Sequence, residues 1–180
     1  MLEITIPDRE YFDEIKGEFV FKKGQTLKLE HSLVSLSKWE SKWHKPFLTK
    51  EEKTVEEITD YVRCMTVTPN VKEDIYTNLS RENIAEINEY IENPMTATTV
   101  HDDYKKGSSR EIVTSELIYY WMIALTIPFE CQKWHLNRLL TLIKVCNVKN
   151  QPAKKMSRRE IMSRNAALNA ANRKRFNSKG

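Results

Sequence analysis

Glycine is scarce, with four in 180 residues. None are clustered, which excludes the glycine-rich loops that let a backbone close on phosphates, so neither a P-loop nor a dinucleotide fingerprint can be built. A G-x-S-x-G elbow is also missing, and with it the usual scaffold for an activated serine. The three cysteines, Cys64, Cys131 and Cys146, are odd in number and widely spaced. That pattern suits reduced, partly buried thiols better than a disulfide framework. The longest apolar run, LIYYWMIAL at 117–125, has nine residues, against the roughly 20 that a membrane-spanning helix needs. The start, MLEITIPDRE, has acids at Glu3 and Asp8 and no apolar stretch behind a basic segment. No secretory signal is visible, and the expectation is a soluble protein without a membrane partner, resident in the cytosol of the cell that makes it.

What is present is a globular balance, 40% hydrophobic and 30% charged, in a chain of one-domain size for which a single core is expected. The net charge of +4 is unevenly divided. From Ala153 onward there are nine Lys or Arg against Glu160 alone, a net +8, which leaves −4 on residues 1–152. The division predicts a globular body over 1–152 and a basic tail over 153–180, helical or partly disordered.

Hydrophobic spacing predicts an α+β fold, mainly α. LEITIP at 2–7 alternates as a half-buried strand does, and EFVFKKGQTLKLE at 18–30 reads as two strands about a Lys23-Gly24 turn. A small N-terminal antiparallel sheet follows from these. The period then becomes helical. Leu36, Trp39 and Trp43 mark one helix ended by Pro46, and Val55, Ile58, Val62 and Met65 a second. Ile84, Ile87 and Ile91 mark a third that starts at Ser80 and closes before Pro94. HDDYKKGSSR at 101–110 reads as a polar loop. Residues 110–125 form a helix apolar on nearly every side, which predicts a central place in the core, and Pro128 breaks it. Leu136, Leu139, Leu140 and Ile143 give the next helix an apolar face, so the two are expected as an antiparallel pair in a helical bundle. In the tail, Ser157 and Glu160 fit a capping box, and Met156 with Ile161 a hydrophobic staple.

Candidate sites are few. Trp39 and Trp43 lie four apart beside leucines, which is ordinarily a core arrangement; the functional alternative makes them anchors for a partner. Cys131 and His135, with Cys146 further on, fall short of a metal-binding pattern, and no cofactor is expected. The adjacent Asp102 and Asp103 read as solvated loop acids. With no catalytic constellation, binding rather than catalysis is expected. Arg158, Arg159, Arg164, Arg173, Lys174 and Arg175 could neutralise phosphates of a nucleic acid or meet an acidic protein surface. Alanines at i, i+4 (Ala166/Ala170 and Ala167/Ala171) would let a partner helix approach closely.

The stretch IYYWMIALTIPFECQKWHLNRLLTLI, with the basic MSRREIMSRNAALNAANRKR that ends the chain, resembles the tail assembly chaperone group of tailed bacteriophages and prophages. LEHSLVSLSKWESKW extends the resemblance more loosely. It implies a non-enzymatic protein of the bacterial host cytoplasm, encoded near the tape measure gene. Such a protein holds the long helical tape measure protein soluble while tail tube subunits assemble around it, and it is compatible with association between copies. The rival expectations are a minor neck or tail protein that stays in the virion, and a nucleic-acid-binding protein that acts through the basic tail.

Overall fold

The computed structural model describes residues 1–14, 17–99, 112–150 and 157–177. The chain divides into two compact units, Met1–Lys149 and Asn150–Gly180. It is mainly helical, with antiparallel strands at the N-terminus, helices after them and a basic C-terminal helix.

The strands form one ribbon in two pieces. β1 (Leu2–Ile6) pairs with β4 (Gln25–Leu29), and β2 (Arg9–Asp13) with β3 (Glu18–Lys22), all antiparallel. Leu2 lies opposite Leu29 and Arg9 opposite Lys22, so partner numbers total 31 in both ladders and a single register runs through the break. This corrects the expected turn at Lys23-Gly24: the chain passes straight through there and reverses between Asp13 and Glu18, where Gly17 adopts φ 67°. Gly24 serves a close approach instead. A Cβ on it would sit 2.0 Å from the Ile6 carbonyl oxygen, and its N–H donates to Asp8 Oδ1 at 2.6 Å. β2 itself was not anticipated, because REYFD carries three charges and shows no clean apolar alternation.

Three helices follow, each started by a reciprocal cap. Ser32 and Ser35 cap α1 (Leu33–Trp43), Thr54 and Glu57 cap α2 (Val55–Met65), and Ser80 and Asn83 cap α3 (Arg81–Glu92). α1 ends on His44 in the left-handed region, two residues before Pro46. Beyond them lie α4 (Ser115–Ala124) and α5 (Leu136–Asn150), with a 3-10 turn, Phe129–Lys133, between the two. α4 begins at Ser115, not at Arg110; residues 101–111, including the expected loop with Asp102 and Asp103, lie outside the described residues, as does Met156 of the expected staple. α6 (Arg158–Phe176) has the Ser157–Glu160 capping box and no buried residue.

Two apolar cores replace the single one expected. The first packs Ile4, Ile6, Leu27 and Leu29 of the ribbon against Trp39, Val62, Met65 and Ile87. The second gathers Leu33 and Leu36 with Ile118 and Met122 of α4 and Leu136 and Leu139 of α5. α1 supplies both, its first turns facing one core and Trp39 the other. α4 is peripheral, which corrects its expected central place: Ser115, Ile118 and Met122 are buried, whereas Tyr120 and Ile123 face solvent. Its all-round apolarity arises because one side packs on the second core and the other carries exposed apolar groups.

Polar side chains tie the two cores. Glu40 of α1 accepts from the Phe47 N–H at 2.8 Å and from the Ser115 N–H, the first of α4, at 2.7 Å. His31 and His135 are both buried, with ring centroids 5.1 Å apart. His31 Nδ1 lies 2.6 Å from the Tyr61 hydroxyl. His135 donates from Nε2 to the Tyr90 carbonyl at 3.0 Å and accepts at Nδ1 from the Asn137 N–H at 3.3 Å, which defines its neutral tautomer. Burial, reinforced by the neighbouring His135, lowers the His31 pKa to about 3.

Candidate partner-binding groove

The stripe Trp39–Trp43 on α1 leads to the site. The two indoles stack at 6.1 Å, but their surroundings differ. Trp39 is buried in the first core, donating Nε1–H to the Glu57 carbonyl at 2.8 Å. Trp43 is half-buried and donates to Asp60 Oδ2 at 2.9 Å. Asp60 also meets Lys42 at 2.7 Å and Arg63 at 2.8 Å. Burial raises the Asp60 pKa, yet the hydrogen bonds from Lys42, Trp43 and Arg63 outweigh it and hold the carboxyl below its ordinary range. On the next turn back, Lys45 bonds Glu57 at 2.6 Å and, with the capping N–H of Thr54, lowers that carboxyl as well. These charges are structural: they fasten the end of α1 to α2 and fix the Trp43 ring.

Trp43 lines a groove of about 990 Å³. α2 contributes Val55, Ile58 and Val62 to it, and α3 contributes Ile84, Ile87 and Ile91; Tyr76 and Leu79 line it as well. Its apolar walls are open to solvent, Val55 at 80%, Ile58 at 45% and Ile84 at 41% exposure. Its lining carries both signs of charge, with Lys42, Lys53 and Arg63 against Glu56, Asp60 and Glu73. Helices of 11 and 12 residues on its two sides span about 16–18 Å, or three turns of a helix laid along them.

The six basic residues singled out in the sequence lie in the other unit. Arg158 and Arg159 open α6, Arg164 sits in its second turn, and Arg173, Lys174 and Arg175 form its last turn. The acid Glu160 lies in the first turn, where the helix dipole favours it, and the last-turn cations complement the opposite end. Cys131 and His135, whose spacing of four would place them on one helical face, do not share a helix. Cys131 belongs to the 3-10 turn and the second core, His135 to a bridge with Ser32, and among the described residues no three metal-ligating groups converge. Among the described residues, no helix is long and apolar enough to cross a membrane.

In the sequence Val55, Ile58 and Ile84 only mark helices by their spacing, and Tyr76 carries no signal of its own. Their spacing is that of a buried stripe, and spacing alone carries no signal of which stripe stays open. Comparison with protein-family models, with curated proteins and with solved structures finds no match.

Proposed function

We propose that this protein is a non-enzymatic assembly factor of a phage tail, which captures an amphipathic segment of the tape measure protein in the α2/α3 groove and keeps it soluble for assembly with the tail tube protein. The observation that carries the reading is the open apolar groove itself. Val55 is 80% exposed and Ile58 and Ile84 45% and 41%, so a bound helix that covers them recovers the uncovered part of the about 1.5–3 kcal/mol that full burial of such a side chain contributes. A helix with anchors at i, i+3 or i+4 and i+7 matches the groove's length and its walls, and its flanking charges meet a rim of both signs. The resemblance of the sequence to tail assembly chaperones supplies the partner's identity and the setting, the host cytoplasm.

The test is coexpression with helical fragments of the tape measure protein encoded beside it. The intact chain keeps a fragment in the soluble fraction, and Ile58→Asp with Ile84→Asp releases it to the pellet while the circular dichroism and melting temperature of the free protein stay as they were. Unchanged capture by the double variant contradicts the groove. Purified virions lack the protein if it is an assembly factor and contain it if it is a minor tail component.

A second reading rests on α6, whose cations crowd its two ends in a helix without a buried residue. Six Lys or Arg over 19 residues could follow a duplex backbone, with log affinity falling against log salt at a slope of about −0.9 for each phosphate neutralised. Duplex affinity indifferent to salt sinks that reading.

A further inference from the structure

The α2/α3 groove has a neighbour. The 3-10 turn Glu73–Asn78 separates them: Glu73, Tyr76 and Thr77 line the groove, whereas Asp74 and Ile75 line a second pocket of about 730 Å³. That pocket is also lined by Tyr11 and Val20, opposed on the β2–β3 ribbon, by Lys22 and Lys23, and by Lys72 just before the turn. Lys22 Nζ reaches the Thr77 hydroxyl at 3.4 Å and lies 5.3 Å from the centre of the Tyr11 ring, so the two depressions share a wall. Opposed residues of an antiparallel pair share a face, which sets Arg9 beside Lys22 on the same side of the ribbon. Glu18 lies on that side four residues from Lys22 and outside the lining, and Glu10 lies on the other side. Among the described residues Asp74 is the one acid that lines this pocket, against three lysines.

The excess runs against the rest of the body, since residues 1–152 sum to −4. Lys23 and Lys72 are exposed, and among the described residues neither is paired with an acid. Cations gathered at one depression repel one another and attract an anionic group. We propose that the segment held in the α2/α3 groove continues across the turn Glu73–Asn78 into an acidic stretch, whose carboxylates meet Lys22, Lys23 and Lys72. This rests on the groove reading and adds the partner's chemistry: an apolar helical stripe that fills the groove, flanked at one end by Asp or Glu. The apolar anchors supply most of the affinity, and the charges supply the choice of partner and the rate of encounter. The shared wall favours a peptide's carboxylates over a free phosphate or a nucleic acid, either of which would leave the apolar groove bare.

Fluorescence anisotropy on the full chain tests it, with a tape measure fragment that coexpression keeps soluble as the labelled probe. Lys23→Glu with Lys72→Glu weakens binding about tenfold at low salt, and the gap closes as salt is raised. The circular dichroism and melting temperature of this variant match the wild type. Changing the fragment's flanking acids to lysine weakens its binding to the wild type and restores it to the charge-reversed variant. An affinity that the lysine variant leaves unchanged, or lowers equally at every salt concentration, overturns the inference; if Ile58→Asp with Ile84→Asp still abolishes binding, the groove stands without it. Capture of no fragment, or binding untouched by the isoleucine pair, sinks the groove and this inference together. Duplex DNA binding by the wild type that the lysine variant loses also overturns it, because the pocket would then serve phosphates.

Discussion

α1 and the α2–α3 pair carry apolar stripes of the same helical period, and the structure treats them oppositely. Leu36 and Trp39 on α1 are buried to the last atom or nearly so, whereas Val55, Ile58 and Ile84 border an open groove. The difference lies in neighbours. α1 stands between two cores and is covered on both sides, by the ribbon and α2 in one and by α4 and α5 in the other. The outer turns of α2 and α3 have a core beneath them, and among the described residues Val55, Ile58 and Ile84 remain exposed. A closed stripe holds the fold together; an open one with the same sequence signature leaves apolar surface in contact with solvent.

The sharpest break of this comparison is Trp39→Ala, which removes a buried ring and its hydrogen bond to Glu57. It should cost about 3–5 kcal/mol, read from urea unfolding, and a smaller loss would mean α1 is not the closed element. Glu40→Ala comes next, since it leaves the Phe47 and Ser115 N–H groups without their acceptor; a loss of about 1–3 kcal/mol is expected. Acid should act through the histidine pair. The His31 pKa is lowered in the folded state to about 3, so below its ordinary value near 6.5 the unfolded chain binds the extra proton. Stability therefore falls as pH drops from about 6 toward 3, by roughly 1.4 kcal/mol per pH unit from this group. His31→Gln should flatten that slope in melts taken between pH 7 and 4. At the small end, Ile58→Asp and Ile84→Asp should each change stability by less than about 0.5 kcal/mol, because their side chains already meet water.

Legibility in the sequence followed the same contrast. Helix starts were readable because Ser80 and Ser157 announce caps through local chemistry, and Leu136, Leu139 and Ile143 of α5 declared their buried face by spacing. β2 was missed because its phenylalanine face is exposed and its charges mask the alternation; the ribbon's register comes from pairing between distant residues, which no local window holds. Gly24 looked like a turn because a glycine forced by a neighbouring strand and one forced by a positive φ look alike in one dimension. The tryptophan pair is legible as a unit, yet only packing separates Trp39, sealed inside, from Trp43, which lines the groove. α4 misled through composition: LIYYWMIA is apolar all round, and half of that surface faces outward.

The most direct measurement is capture of a tape measure fragment by the wild-type chain and by the Ile58→Asp, Ile84→Asp double variant, with the unfolding free energies of both in hand. The account predicts that capture drops at least tenfold while stability moves by less than about 1 kcal/mol. Undiminished capture, or a collapse of the fold along with it, would contradict the claim that the open stripe is a binding surface and not an ill-covered part of the core.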